Sequence, residues 1–231
     1  MLKLDKWLSK QLGYSAYNLN AAYLKQFNFL EARSKKILIT IKSNKRIDNY
    51  FLKKNKIKFI EKNLTFFKKV SPNTNTEHKE FQNIRFSKKK DKKLVLGIAQ
   101  NAFMKSRFFQ DTKIKKNIAK KIKCNWILNF FTKTRGDYLI VSEINKKVVG
   151  FLLMLKSQSN YIIDLIAVNR SYKNLGFASK MLNFFHNFVV KKKNSIIFVS
   201  TQAINKGSIK FYKKNKFKIK HKKYIYHFHT C

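Results

Sequence analysis

Apolar and polar residues follow two periods along this chain, and the period changes from segment to segment. Apolar runs and alternations rich in β-branched residues predict strands at residues 14–19, 36–42, 58–70, 83–87, 138–144, 148–156, 161–168 and 195–201, and one or two more within 218–229. Apolar residues three and four positions apart predict helices at residues 21–35, 46–54, 92–103, 114–131 and 206–215, and one that begins near Gly176. Residues 106–111 are predicted to be a loop. The alternation of the two element types predicts a mixed α/β fold.

The clearest break in this pattern lies at residues 71–80, SPNTNTEHKE, which contain the single proline of the chain and several turn-forming residues. A chain of 231 residues is long enough for one large domain or two small ones. The break predicts a small N-terminal α/β domain over residues 1–75 and a second domain over residues 81–231.

The formal net charge of +41 would by itself indicate a nucleic-acid, ribosome or membrane-surface partner. The basic residues are spread over the whole length, however, and the chain is rich in Lys, Asn, Ile and Phe but has only 6 Gly. This composition suggests coding by an AT-rich genome. Nucleic-acid binding is therefore not expected to be the main function, because charge bears on association rather than on activity.

The cysteine content and the hydropathy of the chain indicate where in the cell the protein is expected. Cys124 and Cys231 give no disulfide framework and fit a reducing cytoplasm, which is the predicted location. The chain has no uncharged apolar run of about 18 residues, so no membrane span is expected. Asp5, Lys6 and Lys10 interrupt the apolar residues of the N-terminus, so a cleaved signal peptide is not expected either.

Residues 161–182 combine a buried strand, a polar and basic loop, and the start of an amphipathic helix. The first N–H groups of a helix lack intrahelical partners and carry partial positive charge, so this order of elements suits an anion. Gly176 and Ala178 keep the first turn free of bulk, which lets a pyrophosphate approach the backbone. An ordinary basic loop before a helix shows the same pattern, so a second motif is needed to separate the two interpretations.

That second motif begins at residue 205. The loop at residues 173–178 follows the pattern Arg/Gln-x-x-Gly-x-Gly/Ala, and the pattern Asn-x-x-Ala/Ser-Ile-x-Phe-Tyr-x-x-x-Gly-Phe is carried by Asn205, Ser208, Ile209, Phe211, Tyr212 and Phe217. Together they resemble the GNAT acetyltransferase superfamily. Lys173 stands where Arg or Gln is usual, and Asn174 and Lys216 stand where Gly is usual; Asn tolerates the left-handed conformation better than Lys. The resemblance implies a central mixed, twisted sheet flanked by helices, and acetyl-CoA as co-substrate.

A narrower resemblance covers most of the chain. The segment AFMKSRFFQD at residues 102–111, the following helix with Trp126, the residues around Trp7 and Gly13, and the run TQAIN at 201–205 carry it. They resemble the nucleotide-sugar amine acetyltransferases of the dTDP-fucosamine acetyltransferase type. This implies a nucleotide-linked amino-sugar as acceptor, a role in polysaccharide biosynthesis, and a smaller N-terminal α/β domain before the transferase domain.

The resemblance also implies which residues hold acetyl-CoA. Backbone groups of the central strand would contact the pantetheine arm at Ile166, Ala167 and Val168. The loop and the first helical turn would bind the pyrophosphate through Lys173, Asn174, Leu175, Gly176, Phe177, Ala178 and Ser179. Asn205 fits a CoA contact of the family and fits equally well as the N-cap of the helix at 206–215.

The catalytic residues implied are Tyr212 and a base that the sequence leaves open. Tyr212 matches the family's general-acid tyrosine, and a phenol with a pKa of about 10 is protonated at neutral pH and can donate to a leaving thiolate. Packing on the core is the alternative role. Candidates for the base are Asp164, which shares a strand face with Ile166 but could instead pair with a lysine, and His227 and His229, whose pKa values suit proton transfer.

Arg107 lies in the segment that resembles the acceptor side of the sugar enzymes, and an arginine fork suits the diphosphate of a nucleotide-sugar. A surface arginine near the helix before it is the alternative. His227 and His229 are further candidates for contact with the acceptor. With Cys231 they spell His-x-His-x-Cys, but a metal site needs a fourth ligand that the sequence does not indicate, so no metal is expected.

These features predict an N-acetyltransferase that moves an acetyl group from acetyl-CoA to the primary amine of a nucleotide-linked amino-sugar. Attack is expected to be direct, in a ternary complex, because no cysteine lies near either motif. One alternative is a protein N-terminal or lysine acetyltransferase, which would prefer an acidic groove, whereas this chain has 11 acidic residues. The other is a basic RNA- or ribosome-binding protein on a degenerate form of the fold. The sequence is also compatible with a homodimer.

Overall fold

A computed structural model describes residues 1–70, 81–190 and 195–230. The strands of these ranges are β1 (Leu2–Leu4), β2 (Ser15–Asn20), β3 (Ile37–Ser43), β4 (Lys58–Val70), β5 (Ile84–Phe86), β6 (Tyr138–Ile144), β7 (Lys147–Ser157), β8 (Asn160–Val168), β9 (Ser195–Gln202) and β10 (Lys218–His229). The helices are α1 (Lys6–Leu12), α2 (Asn49–Lys54), α3 (Lys92–Ala102), α4 (Arg107–Gln110), α5 (Lys116–Phe131), α6 (Phe177–Val190) and α7 (Lys206–Lys214).

The strands form one mixed sheet in the order β1-β2-β3-β10-β4-β9-β8-β7-β6-β5. The pairs β2–β3 and β8–β9 are parallel, and the other neighbours are antiparallel. Strand β7 is buried without interruption from Val148 to Met154, which is the pattern of a strand covered by helices on both faces. The mixed α/β fold predicted from the sequence is confirmed.

Helices cover the two faces of the sheet with separate apolar clusters. On one face α6 contributes Met181 and Phe185 to a core that includes Ile163 of β8 and Tyr212 of α7. On the other face α3 and α5 pack on β6 and β7, with Val95, Ile98, Ile127 and Phe151 buried. Helices α1, α4 and α5 share a third cluster with Leu38 of β3, so the first helix of the chain packs beside the middle of the chain.

Strands from the two halves of the chain alternate in the sheet. Strand β10 lies between β3 and β4, and β4 in turn pairs with β9 from Asn63 opposite Gln202 to Val70 opposite Ser195. The predicted boundary at residues 71–80 lies outside the described residues. Domains at 1–75 and 81–231 stay a prediction, and the strands on either side of that boundary belong to one sheet.

Most predicted elements agree with the structure within a few residues, and residues 58–70 form β4 as predicted. The helix predicted at residues 21–35 is wrong, because two short 3-10 helices flank Phe27, whose backbone is extended. Asn28 explains the break, since its side-chain oxygen accepts hydrogen bonds from the N–H groups of Leu30 and Glu31 and starts a new turn.

Two further corrections concern short elements. The predicted loop at residues 106–111 contains α4, a single helical turn that follows the extended Ser106 and buries Phe108. Strand β1 and helix α1 were not predicted. These elements have three, seven and four residues for β1, α1 and α4, fewer than the window of about 11–18 residues over which periodicity can be read.

Candidate active site

The loop between β8 and α6 has a backbone shape suited to an anion. Asn174 and Gly176 adopt the left-handed conformation, with φ of 65° and 83°. The N–H of Lys180 donates to the carbonyl of Gly176 at 3.0 Å and makes the first turn of α6. The N–H groups of residues 177–179 precede the intrahelical ladder, so they are the donors that a phosphate at this helix end would meet.

Strands β8 and β9 separate from each other on the side of the sheet that leads to this loop. Within the described residues, β8 and β9 pair only where Tyr161 to Ile163 lie opposite Ile197 to Val199. The other edge of β8 stays paired with β7 as far as Val168. The β9-facing backbone groups of residues 166–168 therefore lie along a free edge, to which an extended polar arm can hydrogen-bond. A register shift places Asp164 in a β-bulge where the strands separate.

Helix α7 is tied to this region at both ends. The side-chain oxygen of Asn205 caps the helix by accepting from the N–H of Ser208 at 3.5 Å, and its amide donates to Thr201 at 3.4 Å. At the other end, the Asn215 amide donates to the hydroxyl of Ser179 in the first turn of α6, at 3.3 Å. The N-cap role proposed for Asn205 is confirmed.

Tyr212 lies on the buried side of α7, with 3% of its surface exposed. Its ring packs on Phe66 of β4 and on Phe217, with centroid distances of 5.7 and 5.6 Å. Burial raises the pKa of Tyr212 well above the ordinary value of a phenol. The side chain therefore both fills the core and stays protonated at neutral pH.

Charged side chains from four elements and one turn gather on the face of the sheet that α3 and α5 cover. This mixed-charge cluster consists of Glu61 of β4, Arg107 of α4, Lys123 of α5, Arg135 after α5, and Asp164 of β8. Lys123 interacts electrostatically with all four others, and its Nζ lies 4.0 Å from the centre of the Trp126 ring. Burial first, and then the positive charge of Arg107, lower the pKa of Lys123 to about 8.

Arg107 is largely enclosed in this cluster. Its guanidinium lies 4.7 Å from the centre of the Phe108 ring, and its Nε is buried without a hydrogen-bond partner among the described residues. Burial lowers the pKa of Arg107, and the carboxylates of Glu61 and Asp5 counteract the shift. A buried guanidinium with a free donor suits an anionic group, and contact of Arg107 with the acceptor stays a prediction.

Asp164 has a partner that the sequence did not indicate. Arg135 donates to both of its carboxylate oxygens, from Nε at 3.2 Å and from a terminal nitrogen at 3.1 Å. The Asp164 side chain is 8% exposed, against 43% for Arg135. The carboxylate stands at the opening between β8 and β9, but a bidentate ion pair occupies it.

His227 and His229 of β10 converge on Asp111, the residue after α4. Nδ1 of His227 and Nε2 of His229 lie 2.5 and 2.6 Å from the same oxygen of Asp111. Burial lowers the pKa of His227 to about 4, although the Asp111 hydrogen bond opposes this. Burial alone would raise the pKa of Asp111, but the two histidine hydrogen bonds bring it below its usual value.

This Asp–His–His triad changes the roles predicted for its histidines. The His227 side chain has no exposed surface, so it is not placed to contact an acceptor from solvent. The side chains of the triad are of types that bind metals, and their ligand atoms lie within 4.8 Å of one another. The distances from the two ring nitrogens to the Asp111 oxygen are those of hydrogen bonds. Cys231 lies outside the described residues. The expectation that no metal is bound stays a prediction.

A sequence profile of the acetyltransferase (GNAT) family matches residues 102–217, about half of the chain. The chain belongs to the GNAT acetyltransferase family. The matched range includes the loop at 173–178, the opening between β8 and β9, and helix α7. Members of this family use acetyl-CoA.

Among characterised proteins, the spore coat polysaccharide biosynthesis protein SpsD of Bacillus subtilis (strain 168) is 28% identical over 137 residues, which are 59% of this chain and 47% of that protein. The chain thus spans about half the length of this relative. A conserved protein of unknown function from Staphylococcus epidermidis ATCC 12228 superposes with a TM-score of 0.65 at 13% identity, over 95% of this chain and 86% of the other. The GCN5-related N-acetyltransferase of Sphaerobacter thermophilus gives a TM-score of 0.59 at 10% identity, over 93% and 73%. At such identities these structures show a common fold.

The structure brings the predicted loop, strand and α7 residues together and adds residues that were not predicted. Lys216 adopts φ 63°, so both positions where Gly is usual, Asn174 and Lys216, are left-handed as the motifs imply. Glu61, Lys123 and Arg135 were missed. A usable signal existed for one of them, because Glu61 is the only acidic residue in the thirteen-residue β4.

Proposed function

We propose that this protein transfers an acetyl group from acetyl-CoA to the primary amine of a nucleotide-linked amino-sugar. The observation that carries the proposal is the arrangement at the β8–β9 opening. A left-handed loop and a helix N-terminus lie at its end, and the mixed-charge cluster lies on one face. The loop and the helix N-terminus suit the pyrophosphate of CoA. The mixed-charge cluster suits an acceptor that has both an ammonium and anionic groups.

The sugar acceptor draws support from two sources. The name of the Bacillus subtilis relative places that protein in spore coat polysaccharide biosynthesis. In this chain, Arg107 with its free buried Nε and Lys123 offer positive charge to a diphosphate, while Glu61 and Asp164 offer negative charge to an ammonium. A neutral or purely cationic acceptor would leave the buried Nε of Arg107 without a hydrogen-bond acceptor.

The reaction follows from these positions. The neutral amine attacks the thioester carbonyl, the C–N bond forms, and the C–S bond breaks with the electron pair on sulfur. Tyr212 stays protonated because of its raised pKa, so we infer that its hydroxyl donates a hydrogen bond to the developing thiolate. Free-edge backbone groups of residues 166–168 hold the pantetheine arm, and residues 173–179 hold the pyrophosphate.

No helix among the described residues is long and apolar enough to cross a membrane. A cytoplasmic location stays a prediction from the cysteine content. A homodimer likewise stays a prediction.

The first experiment is calorimetry of the protein with acetyl-CoA, followed by acetylation assays on dTDP- and UDP-linked amino-sugars. We expect binding in the micromolar range, about −8 kcal/mol, and acetylation of at least one such sugar. Binding of acetyl-CoA without acetylation of any amino-sugar, but with acetylation of peptides, would overturn the proposed acceptor. Absence of acetyl-CoA binding would overturn the whole proposal.

The second experiment tests Tyr212. We expect Tyr212→Phe to lower kcat on the order of 10²-fold while the Kd for acetyl-CoA stays within about twofold, since the ring packing is kept and only the donor is lost. Tyr50→Phe is the matched control, because Tyr50 is 75% exposed and lies on α2. Wild-type turnover in Tyr212→Phe would show that the hydroxyl has no catalytic role.

A further inference from the structure

Glu61 is a buried acid on the strand that the N-terminal half inserts into the sheet. Only 5% of its surface is exposed. The amide of Asn63 donates to one carboxylate oxygen at 3.3 Å, and the amide of Gln110 on α4 donates to the other at 3.2 Å. These partners are neutral, and no cation in residues 1–70, 81–190 or 195–230 forms an ion pair with the carboxylate at contact distance.

The position of Glu61 relates it to the β8–β9 opening. On β4, the side chains of Glu61 and Asn63 share one face, because successive side chains of a strand alternate. Asn63 pairs with Gln202 at the end of β9, beyond the point where β9 leaves β8. The side chain of Gln202 is close enough to the Glu61 carboxylate to lower its pKa. Glu61 therefore lies next to the end of β9 that borders the opening.

Burial and the charges around Glu61 act on its pKa in opposite directions. Burial raises the pKa of Glu61, while the amides of Asn63 and Gln202 and the positive charges of Arg107 on α4 and Lys123 on α5 counteract the shift. A carboxylate with a pKa above its usual value accepts a proton more readily than an exposed one, yet stays ionised when the pH exceeds that value.

Asp164 is the other acid of the mixed-charge cluster, and the two differ in their partners. Arg135 binds both oxygens of Asp164, so protonation of Asp164 would break a bidentate ion pair. Protonation of Glu61 would weaken only hydrogen bonds from neutral amides, which contribute less free energy than the hydrogen bonds from a guanidinium. Of the two carboxylates, Glu61 is the better placed to gain and lose a proton in each catalytic cycle.

We propose that Glu61 is the general base of the acetyl transfer and that the N-terminal half of the chain therefore supplies a catalytic residue. The inference rests on the proposed acetyltransferase function. Glu61 takes one proton from the acceptor ammonium, the neutral nitrogen forms the C–N bond as the C–S bond breaks, and the second proton that this nitrogen loses passes to the departing thiolate. The proton on Glu61 then passes to solvent after product release, so each turnover leaves the carboxylate as it began.

The test is Glu61→Gln, which keeps the size and one hydrogen-bonding oxygen but removes the base. At pH 7 we expect kcat/KM for the amine to fall on the order of 10²-fold, with the Kd for acetyl-CoA within about twofold of wild type. The deficit should shrink about tenfold for each unit of rising pH, because free amine then forms in solution and needs no base. Glu31→Gln is the matched control, because Glu31 is exposed and lies on a short 3-10 helix outside the cluster.

Asp164→Asn is made in parallel to compare the two acids. A pH-independent loss in Glu61→Gln, or a loss rescued by high pH in Asp164→Asn alone, would overturn the assignment of Glu61. A failure of the wild-type protein to acetylate any amine would instead overturn the proposed function. Unchanged acetyl-CoA binding in Glu61→Gln shows that the variant is folded, so a wild-type pH profile in that variant refutes the base role.

Discussion

The loop at residues 173–179 and the mixed-charge cluster are built in opposite ways. All donors of the loop come from seven consecutive residues, and their arrangement depends on two left-handed backbone positions and on one helix end. The cluster draws its five charges from β4, α4, α5, the turn after α5, and β8, which are separated by as many as about a hundred residues. One site is local and the other is assembled by the fold.

This difference has a thermodynamic consequence. Changes in a local loop alter ligand affinity with little effect on the rest of the molecule, because few long-range contacts depend on it. Changes in buried polar groups that join distant segments leave unpaired partners inside the protein and lower its stability. The loop and the buried polar groups should therefore respond differently to substitution.

Asp111→Ala should have the largest effect, because it removes the carboxylate that joins the end of α4 to His227 and His229 of β10. We expect a loss of about 2–4 kcal/mol in the free energy of unfolding, measured by urea denaturation. Asp48→Ala, which removes an exposed helix cap, should cost only about 1 kcal/mol. Equal losses in the two variants would contradict the structural role of the triad.

Low pH should lower the free energy of unfolding through the histidine His227 of the Asp–His–His triad. His227 has a pKa of about 4 in the folded state, below the ordinary value for histidine, so the unfolded chain binds more protons between about pH 6.5 and 4. Stability is therefore full above this window and falls as the pH drops through it, by about 3 kcal/mol for one such histidine. His186 has the same kind of shift, to about 4, and adds to the slope.

Unfolding free energies of the wild type and of His186→Leu, measured from pH 7 to pH 4, check this prediction. The variant should keep roughly half of the pH dependence, which belongs to His227. A flat profile in the variant would show that the His227 shift does not exist in solution.

Gly176→Ala tests the local site. Its φ of 83° strains any residue with a Cβ, by about 1–2 kcal/mol, so the loop should move away from the shape that binds phosphate. We expect the Kd for acetyl-CoA to rise about tenfold in calorimetry. Gly207→Ala is the matched control, since a Cβ there lies in a helix and in open space and should be neutral or slightly stabilising. An unchanged Kd in Gly176→Ala would contradict the role of the loop.

Lys216→Gly should have the smallest effect and the opposite sign. Lys216 has φ 63° just after α7, a conformation that glycine adopts without strain. We expect a gain of about 0.5–1 kcal/mol in unfolding free energy, measured by thermal or urea denaturation. Lys214→Gly, inside the last turn of α7, should lose up to about 1 kcal/mol instead. A loss in both variants would show that Lys216 makes a favourable contact that outweighs its backbone strain.

The secondary structure around the loop at residues 173–179 was the part that the sequence predicted well. Strand β8, the start of α6 and the Asn205 cap all depend on neighbours within a few residues. Of the five residues in the mixed-charge cluster, the sequence indicated only Arg107 and Asp164 as candidate site residues. The base was sought at Asp164 or the histidines, because nothing in the order of residues shows that Arg135 pairs with Asp164 or that Asp111 binds both histidines.

The period of each strand and helix and the shape of the loop at residues 173–179 follow from the order of residues, since side-chain alternation, capping and the conformational freedom of glycine and asparagine act between neighbours. The position of β10 between β3 and β4, and of β4 beside β9, depends instead on contacts across the whole sheet. Strand pairing joins residues more than a hundred positions apart, and its register depends on the packing of both faces at once. That pairing is what carries Glu61 from the N-terminal half of the chain to the edge of the β8–β9 opening.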